Sequence, residues 1–178
     1  AEQILEDDKV DMVVIGRGQL VDPDFCNKAE AGKTEEIDYC VGCNQGCYDG
    51  FESKDSPCIT CLRNPAVGRE KECELIPAEK PEKVLIAGGG IGGLEAAIIL
   101  KKRGHNPILC EATDTLGGQF LTAGEAPRKA EMKAAVLSMA EKAKRLGVDI
   151  RMNTKVTPEM IADIKPHTFI NAIGAAPI

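Results

Sequence analysis

Hydrophobic and polar positions divide the 178-residue chain into three stretches of different texture. In the first, Val10–Ile15 (VDMVVI) is largely apolar and β-branched, the pattern of a strand buried on both faces. Gly16-Arg17-Gly18 ends that run, and Asp22-Pro23-Asp24 opens a short helix through Ala31. Ahead of the strand, Ala1–Glu6 reads as the last turns of a helix. One strand between two helices cannot close a sheet. Residues 1–36 are therefore expected to be the tail of a larger α/β domain.

The last stretch, residues 81–178, is the regular one. Val84–Ala87 reads as a short buried strand, followed by the glycine-rich Gly88–Gly93 and a helix through Arg103 that Gly104 stops. Leu94, Ala97, Ile98 and Leu100 supply its apolar positions. Pro107–Cys110 is a second strand, and Val148–Met152 and Thr168–Ile173 are further ones. Between them Pro127–Leu146 is an amphipathic helix, with Met132, Val136, Met139, Ala143 and Leu146 on one face. Strands alternating with helices predict a parallel sheet of the Rossmann type.

Residues 37–80 show almost no periodicity. Gly, Asn, Asp and Pro are scattered through them, and Pro77–Pro81 makes a linker. Such a stretch cannot offset its ordering entropy by burial, so something else must staple it. Composition says what. Of eight cysteines, Cys40, Cys43, Cys47, Cys58 and Cys61 fall between residues 40 and 61, a clustering typical of metal binding rather than of a spread disulfide framework. A formal charge of −6 argues against nucleic acid or an anionic membrane as partner. No apolar run reaches the ~18 residues of a membrane span, and Ala1–Val10 lacks the apolar core of a signal peptide. A reducing cytoplasm is the expected compartment.

Cys40-x2-Cys43-x3-Cys47 places three thiolates in one compact turn, with a fourth from Cys58 or Cys61. Four thiolates suit zinc or an iron–sulfur cluster, and three close cysteines with a remote fourth fit the corners of a cubane better than two C-x2-C pairs would. Cys26, Cys73 and Cys110 are isolated and read as small buried hydrophobes. His105, in a Gly-His turn before a strand, reads as a solvated loop residue.

Gly88-Gly89-Gly90-Ile91-Gly92-Gly93 satisfies G-x-G-x-x-G between a strand and a helix. Gly88 permits the tight turn, Gly90 lets a pyrophosphate approach the backbone, and Gly93 lets helix and strand pack closely. Glu111, about 20 residues on, is the carboxylate expected at the ribose hydroxyls. The following Leu116-Gly117-Gly118-Gln119 resembles the G-G-Q/R step of FAD-dependent pyridine-nucleotide reductases. Asn171 to Pro177 resembles their A-T-G-A-x-P turn, with Ile173 where Thr is usual. Both additions favour FAD over NAD.

Taken together, these residues resemble the old yellow enzyme branch that contains 2,4-dienoyl-CoA reductase, 2-enoate reductase and trimethylamine dehydrogenase. Ile15 to Pro23 is similar to that family's last barrel strand and its G-R-x-x-L-x-D-P turn. Cys40 to Cys47 is close to C-I-G-C-N-Q-x-C, and Cys61 to Pro65 matches C-x-x-N-P. The resemblance implies three parts. Residues 1–36 would be the last strand and helix of a truncated (β/α)8 flavin barrel (TIM barrel). Residues 37–80 would be an iron–sulfur segment and linker, and residues 81–178 an incomplete Rossmann-like FAD-binding domain.

It further implies that Cys40, Cys43, Cys47 and Cys61 hold a [4Fe–4S] cluster, with Cys58 a bystander. Gly16 and Arg17 would hold an FMN phosphate, most of whose site lies outside the chain. Gln45, Gly88, Gly90, Gly93, Glu111, Gly118, Gln119, Lys129 and Val156 would contact FAD. Electrons would pass from NAD(P)H to FAD, through the cluster to FMN, and on to an activated C=C bond of an enoate or enoyl-CoA. The barrel's substrate-protonating residues would lie outside the chain, so the chain alone is expected to be inactive. An amine dehydrogenase of the same architecture, or a zinc-stapled nucleotide-binding module, are the other readings these residues allow.

Overall fold

A computed structural model describes residues 2–55 and 58–175, which fall into two compact units, Ala1–Cys73 and Glu74–Ile178. Each is described by itself.

The second unit follows the sequence pattern closely. β1 (Lys83–Ala87) leads through the glycine turn into α5 (Ile91–Lys102), and β2 (Asn106–Cys110) follows. Then come α6 (Gln119–Ala123), α7 (Ala130–Arg145), β3 (Asp149–Arg151), α8 (Pro158–Ile164) and β4 (Thr168–Asn171). The four strands form one parallel sheet in the order β3-β2-β1-β4, with Leu85 opposite Ile108 on one side and Phe169 on the other. From Val84 onward β1 is apolar because both faces are covered: Leu85 and Ile86 have no exposed surface. Burial of each such side chain contributes about 1.5–3 kcal/mol. Leu94, Ala97 and Ile98 of α5 and Val136, Ala140 and Ala143 of α7 complete the core.

Two short helices here escaped the sequence pattern. α8 starts at Thr157, whose Oγ1 accepts from the Met160 N–H at 3.3 Å, with Pro158 in its first turn. That is a capping signal on a helix of seven residues, too short to show periodicity. α6 begins directly after Gly118, at the Gln119 of the G-G-Q/R step, where no helix was expected. The strand expected over Thr168–Ile173 ends at Asn171, and the end of the A-T-G-A-x-P resemblance, Ala176 and Pro177, lies outside the described residues.

The first unit has little regular structure. It holds α1 (Glu2–Glu6), α2 (Arg17–Val21), α3 (Phe25–Glu30), a 3-10 turn at Thr34–Glu36 and α4 (Tyr48–Glu52). The expected opening helix is present from Glu2, Ala1 lying outside the described residues, and the expected helix after Asp24 is α3. The expected strand is not. Val10–Ile15 joins no sheet, and Met12 and Val14 are 77% and 89% exposed. A strand exists through its ladder, and among the described residues no neighbour supplies one for this run. Gly16-Arg17-Gly18, expected to terminate the strand, instead leads into the single turn of α2.

Among the described residues of this unit, only Val21, Ile37 and Val67 are buried hydrophobic side chains. Polar contacts do much of the holding. Asp22, 3% exposed, accepts from the Asp24 N–H, the Asp38 N–H and Lys28 Nζ, the last at 2.6 Å. Arg63 Nη2 donates to Asp38 Oδ1 at 2.9 Å, and Asn64 Nδ2 donates to the Leu20 carbonyl at 2.9 Å.

Candidate cofactor sites

The first unit gathers thiols. Cys40, Cys43, Cys47 and Cys61 line one cavity together with Arg17 and Arg63. Cys58 is exposed and is not among the lining residues, so of the two candidates for a fourth thiol it is Cys61 that reaches the cavity. Left-handed backbone at Gly42 (φ +64°) and Asn44 (φ +59°) turns the chain between the first three cysteines, and Cys47 then caps α4. Arg17 Nη1 donates to Asn44 Oδ1 from 27 residues away and ties α2 to this turn.

Gly46 brings the remote cysteine in. The Thr60 N–H donates to the Gly46 carbonyl at 3.0 Å, and a Cβ on Gly46 would stand 2.6 Å from the Thr60 carbonyl oxygen. The two segments approach as closely as glycine allows, and Cys61 follows directly. The Gly42 N–H lies 3.4 Å from Cys40 Sγ, a donor to sulfur of the kind that tunes a thiolate-held metal group. A single zinc would need thiolates about 2.3 Å from one point. Among the described residues no group of three His, Cys, Asp or Glu side chains closes on a single-ion position.

The remaining cysteines divide. Cys110 is buried as expected, and burial pushes its thiol pKa up. Cys26 is exposed and Cys73 only half-buried, so the expectation of burial fails for both. Their unit has no core large enough to enclose them.

The second unit carries a cavity of about 760 Å³ at the carboxyl end of its sheet, within the ~300–1,000 Å³ usual for ligand pockets. Gly88, Gly90, Glu111, Gly118 and Gln119 all line it. Gly88 has φ +106°, and a Cβ there would meet the Ala172 carbonyl oxygen at 2.3 Å. Gly93 faces the other way, into the packing of helix on strand, where a Cβ would sit 1.8 Å from the Gly88 carbonyl oxygen. Gly90 has open space: no protein atom lies within 4 Å of where its Cβ would be. A cradle thus lies open at the start of α5, where unpaired N–H groups and the helix dipole favour an anion.

Glu111 is 8% exposed. Its Oε2 accepts from the Gly89 N–H at 2.7 Å, and its Oε1 accepts from the N–H and hydroxyl of Thr113, both at 2.9 Å. Burial alone would raise the carboxyl pKa, but these bonds and the Ala112 N–H together hold it below its ordinary value of 4.5. Glu111 is therefore a carboxylate at neutral pH, with Oε2, which accepts only one of these bonds, keeping acceptor capacity. Gln119 Nε2 donates to the Ala175 carbonyl at 2.6 Å, linking α6 to the chain beyond β4.

Residues 83–165 match the family of FAD dependent oxidoreductases. Over 98% of its length the chain is 38% identical to bilirubin reductase of Mediterraneibacter gnavus, covering 27% of that protein. It is 34% identical over 99% of its length to N,N-dimethylglycine/sarcosine dehydrogenase of Chromohalobacter salexigens, covering 26%. The solved structure of 2-naphthoyl-CoA reductase superposes with a TM-score of 0.94 at 28% identity, over 99% of this chain and 27% of that one. Residues 83–165 belong to the FAD dependent oxidoreductases, and the chain as a whole is similar to these oxidoreductases. It spans about a quarter of the length of these relatives.

Within this chain the other expected contacts are placed differently. Lys129 is exposed at the start of α7, and neither it nor the half-buried Val156 lines the cavity. Gln45 and Gly16 are exposed residues of the first unit. His105 is half-buried, and its Nδ1 accepts from the Glu82 N–H at 3.2 Å, so it secures the entry to β1 rather than standing in solvent. Gly46, Asp38, Arg63 and Thr113 were not singled out by sequence reasoning. Gly46 sits inside the cysteine motif, where its role was legible; the ion pair across 25 residues carried no local signal. Among the described residues no helix is long and apolar enough to cross a membrane.

Proposed function

We propose that the chain is the part of an NAD(P)H-dependent flavin oxidoreductase that binds FAD and a [4Fe–4S] cluster. The observation that carries this is the convergence of Cys40, Cys43, Cys47 and Cys61 on one cavity, in a chain whose other unit presents an FAD-type glycine cradle. Four cysteines lining one cavity are the ligand set of a [4Fe–4S] cluster. When bound, FAD and the cluster would supply hydride acceptance and one-electron carriage, the chemistry needed to deliver NAD(P)H electrons by way of FMN to an activated C=C bond.

The chain's own residues have defined tasks. Gly90 and the first turn of α5 bind the pyrophosphate, and Glu111 accepts from the ribose while holding the glycine turn through the Gly89 N–H. Gly118 and Gln119 form the wall on the α6 side. Residues 1–36 are, on this reading, the end of a flavin barrel, with Gly16 and Arg17 at the FMN phosphate. The substrate class is an enoate or enoyl-CoA, supported by likeness to a reductase whose named ligand is 2-naphthoyl-CoA. A dehydrogenase of small amines is the second reading, favoured by the 34% identity to N,N-dimethylglycine/sarcosine dehydrogenase.

Iron, acid-labile sulfide and flavin analysis on anaerobically purified chain tests the proposal. Stoichiometric iron and sulfide are expected; zinc without sulfide would remove it. Assay of the full-length protein with cinnamate-like enoates against dimethylated amines separates the two substrate readings.

A further inference from the structure

Two cations stand in the wall of the thiol cavity, Arg17 and Arg63. Arg17 is exposed, so solvent screens its charge. Arg63 is different. Its side chain is 7% exposed and its partner Asp38 is 16% exposed, with Nη2 and Oδ1 2.9 Å apart. The pair brackets the thiols: Asp38 lies two residues ahead of Cys40 and Arg63 two residues behind Cys61. Asp38 is anchored in turn, since its N–H and Lys28 Nζ both donate to Asp22 Oδ2. The C-x-x-N-P pattern specifies no residue at position 63.

Removing a charge from water costs several kcal/mol, so a buried cation sits where negative charge accumulates, and Asp38 supplies part of it. A cavity that collects four thiolates is such a place. We propose that Arg63 is a positioning and charge-balancing residue of the thiol cavity. Its ion pair fastens the Cys61 segment to the Cys40 segment, and its buried charge favours the reduced form of the bound cluster. The inference rests on the cluster reading of that cavity. On reduction the cluster takes one electron from the external reductant, and no bond forms or breaks. The added negative charge is stabilised by Arg63 and opposed by Asp38, so the two residues move the potential in opposite directions.

The test is a dithionite titration of the full chain, loaded anaerobically with iron and sulfide and followed by electron paramagnetic resonance. Arg63→Met is expected to shift the one-electron equilibrium about tenfold against reduction, which is about 59 mV downward. Asp38→Asn is expected to shift it upward, and Arg63→Lys to stay near the parent value. A role in folding alone would not give opposite signs at the two positions. Shifts of the same sign, or none, overturn the proposal while leaving the cluster reading intact, because the parent chain still carries iron and sulfide. Where Arg63→Met fails to load, Asp38→Asn decides: an unchanged or lowered potential overturns the proposal, and a raised one supports it. A parent chain that takes zinc and no sulfide would instead remove the cluster reading itself.

Discussion

At the scale of single residues, the glycine turn separates a packing role from a binding role within six positions. Gly93 has a carbonyl oxygen 1.8 Å from its missing Cβ, whereas Gly90 has no protein atom within 4 Å. Gly93→Ala must therefore push α5 off β1, and a loss of about 2–3 kcal/mol is expected in urea unfolding of the second unit. Gly90→Ala should cost no more than about 1 kcal/mol, the loss of a helix cap, yet abolish measurable FAD binding in a fluorescence titration. Equal losses of stability for the two variants would contradict the assignment of their roles. Glu111 offers a pH signature at the same scale. Its folded pKa lies below 4.5, so its contribution is present above that value and is lost as pH falls through the lower, folded one. Glu111→Gln should destabilise the unit by about 1–3 kcal/mol at neutral pH and flatten the acid limb of its stability profile below about pH 4.5. An unchanged acid limb would show that the carboxylate is not held by the Gly89 and Thr113 donors.

At the scale of elements, the informative contrast lies between Val10–Ile15 and Val84–Ala87. Both runs are apolar and β-branched, and only the second becomes a strand. β1 has β2 and β4 on its two edges; the earlier run has no partner among the described residues. Pattern states what a segment requires, and a neighbour has to supply it. The cysteine turn makes the same point through glycine. Gly46 lets the Cys43–Cys47 turn meet the Thr60-Cys61 segment, where a Cβ would stand 2.6 Å from a backbone oxygen. Gly46→Ala is expected to separate Cys61 from the other three thiols and to cut iron and sulfide uptake at least tenfold, read by metal analysis after anaerobic loading. Retention of full loading would mean that Cys61 reaches the cavity by another route.

At the scale of the molecule, the two units are stabilised by different means. The second has a sheet with covered faces and a continuous core, while the first buries Val21, Ile37 and Val67 and leans on Asp22, Asp38 and Arg63. Breaking a buried ion pair of that kind costs about 3–5 kcal/mol, and a group bound by the thiols would add a further tie to a unit with few buried apolar side chains. Removal of metal by chelation should therefore expose residues 1–73 to protease and to amide exchange, and leave 74–178 protected. Simultaneous loss of protection in both units would show that they fold as one.

Sequence alone determined the regular half. A strand, G-x-G-x-x-G, a helix and an acid at the end of the next strand are local patterns, and local patterns set local geometry. It also marked four thiols as a group, since three lie within eight residues. What it left open was decided by contacts between distant positions. By spacing alone Cys58 and Cys61 were equivalent; the C-x-x-N-P resemblance implied Cys61, and Gly46 lets that segment close in on the cavity. The short α6 and α8 hold too few turns to show a period, and α6 is held by packing against α7. Arg63 and Asp38, 25 residues apart, became a pair through the fold alone. Sequence spacing records which groups are near along the chain; a buried charge or a fourth ligand depends on which are near in space.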